Sequence, residues 1–243
     1  MNTNNVAISG ETIDYGPCAF MDRFAVNTVF SSIDANGRYA YGRQPQILHW
    51  NMARFAEALL PAIHRVSPAD VDAAKALVDV IPARFRAIWH AQVRGKLGLG
   101  GEGVDDSELI DTLFDELEEH DVDFSSFFRA IAILLRGDEA MLQSLLPARD
   151  AMAPWIAQWW ERIAHEPKGP LEHADAMDAV NPLYIPRNHL VEAALDAAEA
   201  GDLALWLELL EVVRHPYVIR PGSERFAAPA PKDAGPYKTF CGT

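Results

Sequence analysis

Asn5 and Asp14 are the residues of this chain best placed, by type and spacing, to hold a cation. Val6-Ala7-Ile8 and Thr12-Ile13 are short β-prone runs on either side of Ser9-Gly10, and a two-residue loop containing Gly is the usual closure of a tight hairpin. Closing the loop there sets Ile8 opposite Glu11, Ala7 opposite Thr12, Val6 opposite Ile13 and Asn5 opposite Asp14. Directly opposed side chains have Cβ atoms roughly 4.5–5.5 Å apart, so an amide oxygen and a carboxylate converge on one small ion. Mg²⁺ takes hard oxygen donors of this kind, keeping several waters and needing one or two protein groups beside substrate phosphates. Read alone, the same Asn and Asp are also ordinary turn formers bonded to nearby backbone.

The residues after Asp14 narrow the choice. Asp14-Tyr15-Gly16 resembles the Asp-Phe-Gly of protein kinases, whose Asp holds Mg²⁺ against nucleotide phosphates while an upstream Asn binds a second metal position. Beyond these three residues, ETIDYGPCAFMD, VFSSIDANGRYAYGRQPQILHWNMARFAEALLP, HDVDFSSFF, NPLYIPRNHLVEAAL and the terminal YKTFCGT resemble the selenoprotein O family, kinase-like protein adenylyltransferases. The resemblance runs over nearly the whole chain but only the C-terminal half of the family, so the N-terminal nucleotide-binding lobe is expected to be missing. It implies the C-terminal part of a protein-kinase-like fold. The implied reaction moves AMP from ATP, with UTP as an alternative donor, to Ser, Thr or Tyr hydroxyls of proteins. Mg²⁺ or Mn²⁺ would be held by Asn5 and Asp14, with Asp14 also meeting the nucleotide through the metal, and pyrophosphate would leave.

One position departs from the family pattern. Just before the Asn ligand the family has an Asp that accepts the substrate's hydroxyl proton; here the residue is Asn4. A neutral amide takes no proton at neutral pH, and general-base assistance is worth typically about 10²–10⁴-fold. Phosphoryl-type transfer rests mainly on positioning and electrostatics, so some activity survives without the base. A competing reading follows from Asn4 and the missing lobe: a catalytically inactive helical binding module, or pseudoenzyme fragment.

The chain has two cysteines, Cys18 and Cys241, too few for a Cys-rich zinc site. Cys18 lies four residues after Asp14, and Cys241 ends a Pro-rich tail expected to be extended and mobile. Two reduced thiols are the default inside a cell. The family resemblance implies instead that the tail Cys can join the active-site Cys, a redox latch over the catalytic loop.

These groups must be positioned by a mainly helical scaffold. The hairpin and its loop occupy 1–45, with Asn36-Gly37 a strong turn signal in a loop counterpart to an activation segment. Ile47, Trp50, Phe55 and Leu59-Leu60 form a helical stripe that ends at Pro61. Further helices are predicted at 68–80, 82–96, 105–119, 124–136, 138–146, 151–165, 187–200 and 202–214. The expected organisation is a kinase-like C-terminal lobe with helical extension over 1–225, its helices within 46–215, and a flexible tail over 226–243.

Several tempting motifs read as structure. Gly98 to Gly103 satisfies G-x-G-x-x-G but follows a helix rather than a strand, so it reads as an interhelical loop. Asp121-Val122-Asp123 begins like a calcium loop, yet Ser126 stands where Gly is needed and Ala132 where the bidentate Glu should be; a helix-capping turn fits better. Trp155, Trp159, Trp160 and Ile163 form a stripe expected in the core. Arg187 is expected to bond backbone or a carboxylate at a helix start. The eight histidines show no paired zinc spacing. A formal charge of −14 over 243 residues disfavours nonspecific nucleic-acid binding, and the acids of 102–123 read as a solvated helix face. No run approaches the ~20 apolar residues of a membrane helix, and no signal-peptide layout is present, so a cytoplasmic location is expected, and the family resemblance implies a bacterial one. The family resemblance implies ATP and protein substrates as partners.

Overall fold

The computed structural model describes residues 3, 6–12, 18–62, 67–101, 103, 105–231, 235 and 237–240. Their architecture is mainly α. Eleven α-helices occur among the described residues, and the only β pairing there consists of two isolated bridges. The chain divides into two compact units, one of Met1–Cys18, Val26–His90 and Lys238–Thr243, the other of Ala19–Ala25 and Ala91–Tyr237.

In the first unit, α1 (Gln44–Leu59) follows a 3₁₀ turn over Tyr41–Arg43 and carries Pro45 in its first turn, where its missing N–H costs nothing. Its buried residues are Ile47 and Asn51. Of the predicted stripe, Trp50 is 41 % and Leu59 47 % exposed, because the helix turns the Ile47–Asn51 edge inward instead. Pro61 lies in the 3₁₀ turn Leu60–Ala62 that ends the run. Ser67 caps α2 (Pro68–Asp79): its Oγ accepts the Asp70 N–H, and the Asp70 carboxylate accepts the Ser67 N–H. Helix α3 (Ile81–Lys96) follows directly, its last six residues belonging to the second unit. The 26–43 segment folds on itself, Gly42 N–H donating to Val26 O and Tyr41 N–H to Thr28 O. A Cβ at Gly42 would stand 2.3 Å from Val26 Cγ2, so that approach requires glycine.

The second unit holds the large core. In α4 (Asp106–Glu119), Leu109, Ile110, Leu113 and Leu117 share one buried face, while most of its acids face solvent. Asp106 is the exception, buried against the Arg162 Nε at 2.8 Å and accepting Gly103 N–H at 2.7 Å. Helix α5 (Phe124–Leu135) is apolar nearly all round and buries Phe127, Phe128, Ile131 and Leu135. Asp123 caps it, taking Ser126 N–H at 2.9 Å, as the capping-turn reading predicts. After the short α6 (Ala140–Leu145), α7 (Ala153–Ala164) buries Ile163, Trp155 and Trp159, and the indole N–H groups of Trp155 and Trp159 donate to Leu109 O and Leu97 O at 2.8 and 2.9 Å. Trp160 departs from the expected stripe at 42 % exposure, since one residue's step of about 100° carries it off the buried face. The glycine-rich stretch does join two helices, α3 and α4.

Helix α8 (Pro170–Val180) has no counterpart among the predicted helices. Its buried face consists of His173, Ala174 and Met177, too weakly apolar for periodicity to register. It is fastened to α5 by charge: Arg129 Nη1 meets Asp178 at 2.9 Å, and Arg136 Nη2 meets Asp175 and Asp178 at 2.7 and 2.8 Å. A separate cluster of Tyr184, Ala194, Leu209, Val212 and Phe226 joins α9 (Asn188–Glu199), α10 (Ala204–Val213) and α11 (Glu224–Ala227).

Composition alone predicts a mobile tail after residue 225. In that stretch Phe226 is 2 % exposed, and within the first unit Thr239 N–H donates to Phe30 O while Ser32 N–H donates to Thr239 O.

Candidate active-site segment

Asn4, Asn5, Asp14 and Cys241 lie outside the described residues. Within 6–12, Gly10 N–H donates to Ala7 O at 3.3 Å, so Ile8 and Ser9 are the centre of this turn, one residue earlier than the loop predicted at Ser9-Gly10. Ser9 Oγ accepts Glu11 N–H, a local bond that competes with strand pairing, and Gly10 takes φ +72°. Among the described residues no group of three or more His, Cys, Asp or Glu is arranged to hold a metal ion. Cys18 is exposed.

The stretch that follows Cys18 is held firmly inside the second unit. Phe20 N–H donates to Asn188 Oδ1 at 2.9 Å, and Asn188 Nδ2 donates to Phe20 O at 2.7 Å. Two residues on, Phe124 N–H donates to Asp22 O and Phe24 N–H to Val122 O, an antiparallel bridge of Arg23 with Asp123. Phe24 is 4 % exposed, with its ring 5.1 Å from that of Phe114 and 5.9 Å from that of Phe124. The chain immediately after the Asp-Tyr-Gly motif is thus tied to the first turns of α5 and α9.

Arg187 organises that junction. Fully buried, its Nη1 bonds Asp22 at 2.7 Å and Asp123 at 2.8 Å, and its Nη2 bonds Asp123 at 3.0 Å, Ser126 Oγ at 3.1 Å and Ala227 O at 3.3 Å. Burial alone would lower its pKa; the bonds and charges of Asp123 and Asp22 outweigh that and hold it above the usual value. The fork geometry suits this use, since a guanidinium satisfies two carboxylates in one plane. The expectation that Arg187 bonds backbone or carboxylate at a helix start is met on both counts. Sequence pattern alone does not mark Asn188 or Asp22; the signal it carries is a polar pair directly after Pro186 at the start of α9, with Asp22 acidic in a largely apolar segment.

The loop that contains Asn36-Gly37 is closed by Asp34, whose Oδ1 accepts Arg38 N–H and Oδ2 accepts Tyr39 N–H, both at 2.8 Å. Gly37 N–H donates to Asp34 O, with Gly37 at φ +61°, a left-handed position for which Gly suits the Asn-Gly turn.

A profile for the family described as "Protein adenylyltransferase SelO" matches residues 1–214. The chain belongs to the SelO family. It is 79 % identical over 243 residues to the "Protein nucleotidyltransferase YdiU" of Sphingopyxis alaskensis, covering 100 % of this chain and 50 % of that protein. Proteins of the same description from Chromobacterium violaceum and Mycolicibacterium paratuberculosis are 50 % and 49 % identical over 246 and 252 residues, again across 100 % of this chain and 52 % and 49 % of theirs. The chain spans about half the length of these curated SelO-family relatives. The Phe20–Asn188 and Asp22–Arg187 ties, which no local pattern announces, therefore lie inside the region that matches the SelO profile. No helix among the described residues is long and apolar enough to cross a membrane.

Proposed function

We propose that this SelO-family chain is the C-terminal portion of a kinase-like protein nucleotidyltransferase that moves AMP from ATP to Ser, Thr or Tyr hydroxyls of proteins. The observation that carries the reading is the match of residues 1–214 to a family described as a protein adenylyltransferase, together with 79 % identity to a relative described as a protein nucleotidyltransferase. Asn5 and Asp14 would hold Mg²⁺ or Mn²⁺, hard oxygen donors suited to either ion. The bound ion would neutralise charge on the phosphates during transfer. The ties from Asn188 and Arg187 to Phe20 and Asp22 would limit the freedom of the chain that follows Asp14. Cys18, exposed, would be one half of a redox latch with Cys241; mass spectrometry of the non-reduced chain reads that pairing directly.

Asn4 favours a second reading, a SelO-family chain that binds without transferring, because the side chain offered at the base position accepts no proton. The decisive experiment joins this chain to the part of the Sphingopyxis alaskensis relative that it does not span, and follows label from α-³²P-ATP into protein with and without divalent metal. Metal-dependent labelling that Asp14→Ala abolishes supports transfer. An inert protein in which Asp14→Ala alters neither metal nor nucleotide binding would sink the site assignment. Tight metal-dependent nucleotide binding without labelling would favour the non-transferring reading.

A further inference from the structure

From Ala35 to Ala56 the chain has Arg38, Arg43 and Arg54 and no Asp or Glu, within a sequence of 35 acidic and 21 basic residues. Arg54 is neutralised by Glu57 at 2.6 Å. Arg38 and Arg43 have no acidic side-chain partner among the described residues. The nearest acid in sequence, Asp34, has both oxygens occupied by backbone N–H groups of Arg38 and Tyr39. Arg38 lies with its guanidinium 4.9 Å from the centre of the Trp50 ring and 5.7 Å from that of Tyr39. Ring contact of this kind fixes the guanidinium while leaving its in-plane N–H donors for another acceptor. Among the described residues the Arg43 side chain makes one hydrogen bond, from Nη1 to Asn36 O at 3.2 Å.

Both arginines line a single cavity of about 560 Å³ with Asn36, Gln46 and Ile47. That volume falls within the roughly 300–1,000 Å³ of small-ligand pockets. The backbone around it is set beforehand by the Asp34 turn and by Gln44, whose Nε2 donates to Tyr39 O at 2.7 Å. Two uncompensated guanidiniums on a preformed loop are suited to a compact multivalent anion, because each planar fork matches phosphate oxygens bidentately.

We propose that this cavity is an oxyanion site that takes the phosphate groups of a small molecule, either free pyrophosphate or the polyphosphate tail of a nucleotide.

Calorimetric titration of the full chain in EDTA tests it, with pyrophosphate, ATP, adenosine and a glutamate-rich peptide as separate titrants. Pyrophosphate and ATP should bind and adenosine should not. Equal affinities identify free phosphate groups as sufficient, and tighter ATP binding identifies the nucleotide as the source. Arg38→Gln and Arg43→Gln should each weaken pyrophosphate about tenfold or more, with Arg43→Lys losing less. Far-UV melting curves matching the native chain show that the variants remain folded, as exposed side chains should permit. The proposal is overturned by pyrophosphate binding that both Gln variants leave intact, by absence of pyrophosphate binding, by adenosine binding as well as ATP, or by preference for the acidic peptide.

Discussion

Asn188 grips the backbone of Phe20 from both sides of its amide, accepting the Phe20 N–H at 2.9 Å and donating to the Phe20 carbonyl at 2.7 Å. A side chain thereby imitates one rung of a β-ladder across 168 residues of sequence. Asn188 is only 5 % exposed, so water is a poor substitute for either bond. Asn188→Leu should destabilise the chain by about 1–3 kcal/mol, the cost of leaving buried polar groups without partners. Asn188→Asp, keeping an acceptor and losing the donor, should fall between. Urea unfolding measures both; a Leu variant as stable as the native chain would show that the clamp contributes nothing.

Arg187 makes a sharper test because it balances charge. Arg187→Leu leaves Asp22 and the 4 %-exposed Asp123 facing each other without a cation, and removal of one partner from a buried pair typically costs about 3–5 kcal/mol. Combining Arg187→Leu with Asp123→Asn should recover part of that loss by removing one stranded charge. Denaturation of the single and double variants gives the coupling, and a double variant no better than the single would refute the charge argument.

Acid should loosen the start of α2. The Asp70 carboxyl is held below its ordinary value of 3.8 by hydrogen bonds from the Ser67 backbone and then the Ser67 hydroxyl. A depressed carboxyl pKa contributes stability that is intact above the ordinary value and lost as pH falls through the depressed one. Amide exchange at Asp70 and Val71, corrected for intrinsic rates, should therefore accelerate only below the ordinary carboxylate range. Ser67→Ala should show the faster exchange already at neutral pH.

The proposed base position at Asn4 can be tested by substitution. In the joined protein described above, Asn4→Asp should raise AMP transfer by about 10²–10⁴-fold, with nucleotide affinity changed little, because a base acts on the transition state more than on binding. Single-turnover labelling measures the rate. An unchanged rate with intact metal binding would mean that Asn4 is not at the base position.

The sequence by itself determined the helices whose apolar faces are strong: α4, α5 and α7 follow from Leu, Ile, Phe and Trp at helical spacing, and Asp123 announces the cap of α5. It also determined the family, through long ordered motifs. It did not determine α8, whose buried face of His173, Ala174 and Met177 carries little hydropathy signal, nor that Trp50 and Trp160 face outward beside buried neighbours. Only tertiary structure decided that Asp22 and Asp123 share Arg187, and that Asn188 holds Phe20. Local propensity reports what a residue does to its own few neighbours, whereas a hydrogen bond spanning 168 positions exists only after the intervening helices have packed. The same reason applies to Arg38 and Arg43, which only the fold places on one cavity.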